Sequence, residues 1–171
     1  MDRMSSIELA IKNETAEMEF YLEQAKRSHN KLAKAMFENL AEDEKEHMTR
    51  LKGLHKKLIA DGSWPEDVPI QVAGTNISNV LETLAKLPAS AVDRDTADIE
   101  ALKKGEKFES NGEKFYATLA DACDNAAESE FFRFLSGIER EHMLSIQDSI
   151  YYLEDPEGWM ASKGRAGLDG A

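Results

Sequence analysis

The chain has 171 residues, 42% of them hydrophobic and 8% aromatic, and a formal net charge of −12. This length suits one domain with a sizeable core, and a composition rich in Ala, Glu, Lys and Leu favours helices over sheet. The charge argues against nucleic acid and anionic membranes as partners, and a lone cysteine, Cys123, excludes a disulfide or four-thiolate metal site within the chain.

The N-terminus predicts a helix without a targeting signal. Residues 1–8 lack the apolar core of a signal peptide. No apolar run in the chain approaches the ~18 residues of a membrane span, so a cytoplasmic protein without a membrane partner is expected. Ser5 and Glu8 have the spacing of a capping box, which predicts a helix start at that point.

The first half of the chain predicts a helical hairpin. Apolar residues recur at helical spacing from Ile7 to about Ala25, and a hydrophilic turn follows at residues 26–30. A second helix is predicted from about Leu32 to Ile59, where an Asp-Gly pair gives a C-cap signal.

Residues 61–94 predict a long crossover. Prolines and glycines break any long helix there, and a short helix fits at Ile77–Leu87. A third helix is predicted from about Thr96 to Ala122. A connection of this length is unusual in a compact domain, but it is needed if the chain returns along the whole bundle.

After a turn at Asp124 and Asn125, a fourth helix is predicted to about Leu153. Residues 155–171 are predicted to form an irregular tail because they contain four glycines, with Trp159 holding part of it to the bundle.

Two tetrads of polar residues repeat at a constant offset of 95 positions. Each consists of Glu-x6-Tyr followed, after the same gap, by Glu-x-x-His. The tetrads are Glu14, Tyr21, Glu44, His47 and Glu109, Tyr116, Glu139, His142. A single Glu-x-x-His usually marks a solvated helix face, but two copies in register indicate an internally duplicated hairpin with half of a metal site in each copy.

The hairpin geometry supports a shared site. Glu14 and Glu44 are equally distant from the first predicted turn, and Glu109 and Glu139 are equally distant from the second. Each lies about 22 Å from its turn at ~1.5 Å per residue. With the turns at opposite ends of the bundle, both half-sites meet at one level.

One Glu from each of two helices, with Glu-x-x-His from each of the other two, is the ligand set of ferritin-like dinuclear carboxylate proteins. Four carboxylates balance two divalent cations, and oxygen-rich ligands with two imidazoles favour iron, with manganese or zinc as possible substitutes. Glu44 and Glu139 are the expected bridges, because their helices also carry the histidines.

Tyr21 and Tyr116 are either core aromatics or donors to the ligand carboxylates. Glu106 interrupts the symmetry, because it lies one turn before Glu109 where the first half has Ile11. It is either an exposed acid or a fifth carboxylate of the site. His29 has no counterpart in the second half and is expected at the surface, as is His55.

These residues resemble the rubrerythrin family of ferritin-like proteins over about residues 5–154. The most specific matches are Ala10-Ile11-x-x-Glu14-x6-Tyr21, Leu40-Ala41-x-x-Glu44-x-x-His47, Glu106-x-x-Glu109-x6-Tyr116 and Glu139-x-x-His142. The resemblance implies a non-haem di-iron centre that reduces hydrogen peroxide, in a homodimer. It also places Glu106 where the family carries an additional carboxylate associated with redox-dependent ligand shifts.

The expected architecture is an all-α, ferritin-like four-helix bundle at residues 1–154, made of two hairpins joined by a crossover with a short helix, and followed by a C-terminal tail. Full-length rubrerythrins append a rubredoxin domain with four cysteines. This chain has no such cysteines, so the resemblance implies an external electron donor such as a rubredoxin.

Two other functions remain open. One is a ferroxidase or iron-handling protein that uses dioxygen, and the other is a non-catalytic binding module that responds to metal or redox state.

Overall fold

The computed structural model describes residues 3–65 and 95–166 of the chain. Within these ranges five helices occur and no strand. They are α1 (Arg3–Arg27), α2 (Lys31–Asp61), α3 (Thr96–Ala122), α4 (Ala126–Glu154) and α5 (Pro156–Ala166). The predicted all-α fold is confirmed, and the four long helices lie close to their predicted positions.

Both hairpin turns end in the same N-cap. The Asn30 side chain accepts a hydrogen bond from the backbone N–H of Ala33 at 3.0 Å, and Asn125 accepts one from Glu128 at 3.0 Å. Each cap satisfies an N–H group that the first turn of a helix leaves without a partner. The duplicated asparagine therefore fixes where the second helix of each hairpin begins.

Of the two helix caps predicted for the first hairpin, one is wrong and one is confirmed. The predicted capping box is wrong, because α1 already includes Arg3 and Ser5 therefore lies inside the helix. The predicted C-cap after α2 is confirmed: Gly62 has a left-handed φ of 68°, which an L side chain would strain, and its N–H bonds to Leu58 O. The predicted helix at residues 77–87 lies outside the described residues.

The two turns lie at opposite ends of the bundle, as the long connection predicts. Ser28 in the first turn donates a hydrogen bond to Asp98 at the start of α3, at 2.7 Å. At the other end, Arg3 at the start of α1 pairs with Glu128 at the start of α4, at 2.6 Å. Each turn therefore lies beside the beginning of the other hairpin, and α1 runs antiparallel to α3.

Apolar side chains form two clusters, one towards each end of the bundle. The first includes Leu32, Phe37, Leu40, Leu102, Ile146 and Leu153. The second includes Ile7, Leu51, Leu54, Phe131, Phe132 and Leu135. Full burial of such a side chain stabilises the fold by about 1.5–3 kcal/mol, so two apolar layers hold the bundle together around a polar middle. Among the described helices, none is long and apolar enough to cross a membrane.

The C-terminal segment is helical, so the prediction of an irregular tail is wrong for residues 156–166. Pro156 suits the first turn of a helix, where its missing N–H is not needed, and Asp155 accepts a hydrogen bond from the Gly158 N–H at 3.0 Å. Trp159 is buried, and its Nε1 donates to Asp148 at 2.8 Å. Capping and burial of the indole thus outweigh the low helix propensity of glycine.

Candidate metal centre

Six polar side chains meet in the middle of the bundle, between the two apolar clusters. They are Glu14, Glu44, His47, Glu109, Glu139 and His142, and none is more than 2% exposed. They form two overlapping groups, in each of which one donor atom per residue lies within 4.8 Å of the others. Each group is thus in position to hold a metal ion. Glu44 and Glu139 belong to both groups.

The first group lies around His47. Its Nδ1 is 2.9 Å from Glu44, one turn earlier on the same helix, and 3.1 Å from Glu14 on α1. Glu139 of the other hairpin lies 3.7 Å from the same nitrogen. A single imidazole nitrogen therefore faces three carboxylates from three different helices.

The second group lies around His142 and follows the same plan. Its Nδ1 is 3.2 Å from Glu109 on α3 and 3.2 Å from Glu44 on α2. The two imidazole rings stack with their centroids 5.7 Å apart and their planes inclined by 18°. The duplicated motifs thus converge on one compact site at mid-height.

The tyrosines link the two hairpins to each other. The Tyr21 hydroxyl donates a hydrogen bond to Glu109, and the Tyr116 hydroxyl donates one to Glu14. Burial is the largest influence on the pKa of each phenol, and the facing carboxylate adds to it, so both pKa values lie well above the ordinary value. The hydroxyls therefore stay protonated and hold the two outer carboxylates from opposite sides.

The metal-free centre retains protons on some of its carboxylates. Burial, supported by the charges of Glu44 and Glu14, raises the pKa of Glu139 well above its ordinary value. Burial and the charge of Glu44 also raise the pKa of Glu14 to about 8, against the opposing influence of His47. Like charges in a low-dielectric site cannot all persist, so protons take the place of counter-ions.

Glu44 and His47 show the opposite pattern. Burial alone would raise the pKa of Glu44, but the charges and close contacts of His47 and His142 outweigh burial and lower it. Burial would lower the pKa of His47, but Glu44 and Glu14 outweigh it and raise this pKa to about 10. Glu109 and Glu44 likewise raise the pKa of His142 against burial, so without a bound cation these directions favour a charged Glu44 between two protonated imidazoles.

Several buried oxygens are without a hydrogen bond among the described residues. Both carboxylate oxygens of Glu139 and Oε1 of Glu44 are in this state. A buried acceptor without a partner costs about 1–3 kcal/mol, and a fold seldom tolerates several in one place unless a ligand satisfies them. These oxygens belong to the two shared carboxylates, so the donor set fits a pair of divalent cations.

Two further acids at this site were not found from the sequence. Glu17 lies one turn after Glu14, and burial, followed by the charges of Glu44 and Glu109, raises its pKa to about 10. Asp43 lies with Oδ2 3.3 Å from His142 Nε2. For Glu17, its spacing of three from Glu14 was the available signal. For Asp43 there was no such signal, because it breaks the repeat.

Glu106 lies apart from this cluster. It is half-buried, and its Oε1 accepts a hydrogen bond from Gln147 Nε2 at 2.7 Å. Neither of the two groups found among the described residues includes it, and its role as an additional ligand stays a prediction. His29 is exposed, and His55 is half-buried with Nε2 3.3 Å from Glu8, so the structure brings neither into the cluster.

Replacing Gly105 with alanine is expected to disturb Tyr21. A Cβ at this position would lie 3.0 Å from Tyr21 Cε1 and 3.1 Å from its hydroxyl oxygen. The ring is fully buried and bonded to Glu109, so it has little room to move. A Gly-to-Ala change in an open helix stabilises by up to about 1 kcal/mol. For Gly105→Ala we expect a loss of about 1–3 kcal/mol instead.

Gly137→Ala is the matched control, because a Cβ there meets nothing within 4 Å. Urea unfolding of the two variants beside the unchanged chain measures both effects. Equal stabilisation by the two alanines would show that Tyr21 is not held as tightly as its contacts indicate.

The comparisons with known proteins agree with this architecture. Residues 6–149 match the family model for rubrerythrin. The solved structure of a hypothetical protein from Pyrococcus furiosus superposes with a TM-score of 0.65 at 19% sequence identity, over 92% of this chain and 93% of that one. At this identity the likeness establishes the fold alone, and the rubrerythrin match identifies that fold as a ferritin-like helical bundle. No curated protein matches the chain.

Proposed function

We propose that this chain, which belongs to the rubrerythrin family, holds two iron ions and reduces hydrogen peroxide with electrons from an external donor. The observation that carries this proposal is the pair of overlapping ligand groups that share Glu44 and Glu139. Two separate groups would indicate two unrelated mononuclear sites. Shared carboxylates are what a dinuclear centre requires.

Charge and ligand chemistry support iron. Four carboxylates neutralise two divalent cations, and the two imidazoles bind in their neutral form. An oxygen-rich donor set with two nitrogens suits iron or manganese better than metals that prefer thiolate. Zinc is a possible substitute, because the Irving–Williams order gives it higher affinity for most sites.

In this proposal the role of each residue follows from its position in the centre. Glu44 and Glu139 would hold both ions in common, while Glu14 with His47 would hold one of them and Glu109 with His142 the other. Tyr21 and Tyr116 orient the outer carboxylates through their hydrogen bonds. The apolar clusters on both sides exclude bulk water from the reacting atoms.

When bound, a di-iron pair supplies the two electrons that, with two protons, convert hydrogen peroxide to two water molecules. The electrons must then be replaced from outside. The only cysteine in these 171 residues, Cys123, cannot form a four-thiolate iron centre alone. A separate reductant such as a rubredoxin is therefore part of the proposal.

Stopped-flow mixing of the ferrous-loaded protein with peroxide or with dioxygen tests the activity. We expect oxidation by peroxide to be at least about tenfold faster than oxidation by dioxygen at equal concentration. Comparable rates, with turnover of many equivalents of added ferrous iron, would establish ferroxidase action instead. If neither oxidant reacts with the loaded protein, the metal- or redox-responsive binding module replaces the enzyme as the best explanation.

A further inference from the structure

The two histidines of the centre differ in what lies behind them. Behind His142, on the side away from the carboxylate cluster, Oδ2 of Asp43 faces its Nε2 at 3.3 Å. Both atoms are buried, and neither forms a hydrogen bond among the described residues, so the carboxylate oxygen lies beside the ring nitrogen as an ion-pair contact. His142 is fully buried, and the Asp43 side chain is 20% exposed.

His47 has no carboxylate at the position that corresponds to Asp43. The residue that corresponds to Asp43 in the second half, at the offset of 95, is Ile138. Ile138 is buried in the second apolar cluster, which includes Leu135. In the described part of the chain, the Nε2 atoms of both histidines are buried and without a hydrogen bond, but only that of His142 has a carboxylate oxygen beside it, at 3.3 Å. The pseudo-symmetric site is therefore unequal at its two imidazoles.

This inequality has a direct consequence for metal binding. In both rings Nδ1 faces the carboxylate cluster, so Nδ1 is the donor atom for a metal and Nε2 carries the remaining proton. A carboxylate that accepts this proton fixes the tautomer and the ring orientation and makes Nδ1 a stronger donor. Loss of such a partner typically weakens metal affinity by about 10–100-fold.

We propose that Asp43 is a positioning residue that makes the end of the site formed by His142 and Glu109 the tighter of the two. The first metal ion binds there. The end formed by His47 and Glu14 fills second and exchanges more readily. This inference rests on the proposed dinuclear centre and adds an order of loading to it.

Anaerobic titration of the metal-free protein with Co²⁺ alone tests the proposal, followed by visible absorption. The unchanged chain is expected to bind two equivalents in two resolved steps. His142→Ala should abolish the tight step and His47→Ala the weak one. Asp43→Ala is expected to weaken the tight step by about 10–100-fold and to leave the weak step unchanged. Asp43→Asn, which keeps an oxygen acceptor without the charge, should lie between them.

Glu42→Gln is the matched control, because this neighbouring acid is exposed and pairs with Lys45. It should leave both steps unchanged, and thermal unfolding should show the metal-free variants folded as well as the unchanged chain. Two equal steps in the unchanged chain, or Asp43 variants that keep its tight step, would overturn the inference and leave the dinuclear centre intact. Binding of fewer than two equivalents by the unchanged chain would overturn the proposed centre itself.

Discussion

Replacing both Glu44 and Glu139 with alanine is expected to reduce metal binding from two ions per chain to none. These two carboxylates belong to both ligand groups, and they carry three buried oxygens that have no hydrogen bond among the described residues. Without them, each end of the site keeps one carboxylate and one imidazole, which is too few donors for a stable site. Metal analysis after anaerobic reconstitution with ferrous iron measures the loss.

The duplication in the sequence provides a matched control for this experiment. Glu46 and Glu141 also recur at the same offset, but Glu46 pairs with Arg50 and Glu141 is exposed. Replacing this pair with alanine should leave two ions per chain. Circular dichroism should show both double variants helical, because the apolar clusters at the two ends remain. Retention of two ions after loss of Glu44 and Glu139 would disprove the assignment of the bridges.

Metal-free protein is expected to lose stability as the pH rises from about 4.5 to about 10, first through Glu14 and then also through His47, on the order of a few kcal/mol. The pKa of His47 rises from 6.5 to about 10 on folding, and that of Glu14 from 4.5 to about 8. The folded chain thus holds more protons than the unfolded chain between these values. The stabilisation is complete below the unfolded pKa and is lost as the pH passes the folded pKa.

Glu44 does not reverse this trend. Its pKa is lowered on folding, so its contribution to stability is complete above about pH 4.5, where the unfolded carboxyl has titrated. From about pH 6.5 to about pH 10 its contribution is therefore constant. The loss of stability in this range therefore comes from the groups whose pKa values are raised on folding.

Urea unfolding in a chelator at several pH values measures this slope. Glu14→Gln should make the slope shallower, while Glu23→Gln, which alters an exposed acid on the same helix, should leave it unchanged. Saturating metal should oppose the loss, because cations replace the protons and bind more tightly as the pH rises. A stability that is flat or rises with pH in the metal-free protein would contradict the proposed protonation of the centre.

The sequence predicted the structure best where a local interaction and the internal repeat indicated the same feature. Asn30 and Asn125 mark both turns because an N-cap is a local interaction that spans only three residues. The spacing of Glu44 and His47 fixes their common helix face for the same reason. The length of the crossover was enough to place the turns at opposite ends, which the contact between Ser28 and Asp98 confirms.

Predictions from local sequence failed where a tertiary interaction outweighed the helix propensity of the residues. The glycines of the C-terminal segment predict an irregular chain. The helix α5 forms nevertheless, because Trp159 packs against Tyr152 and donates a hydrogen bond to Asp148. The predicted capping box failed for a related reason. Ser5 and Glu8 have the right spacing, but spacing cannot show that the helix already includes Arg3.

By itself, the sequence determined four long helices, two turns and six residues that can ligate metal, since periodicity and capping act within one helix. Tertiary structure decided which helix faces which. It alone shows that each tyrosine bonds to the glutamate of the other half, that Glu17 lies near the cluster while Glu106 bonds to Gln147, and that Asp43 faces His142. These contacts depend on the rotation of each helix about its axis, which is set by the packing of the whole core.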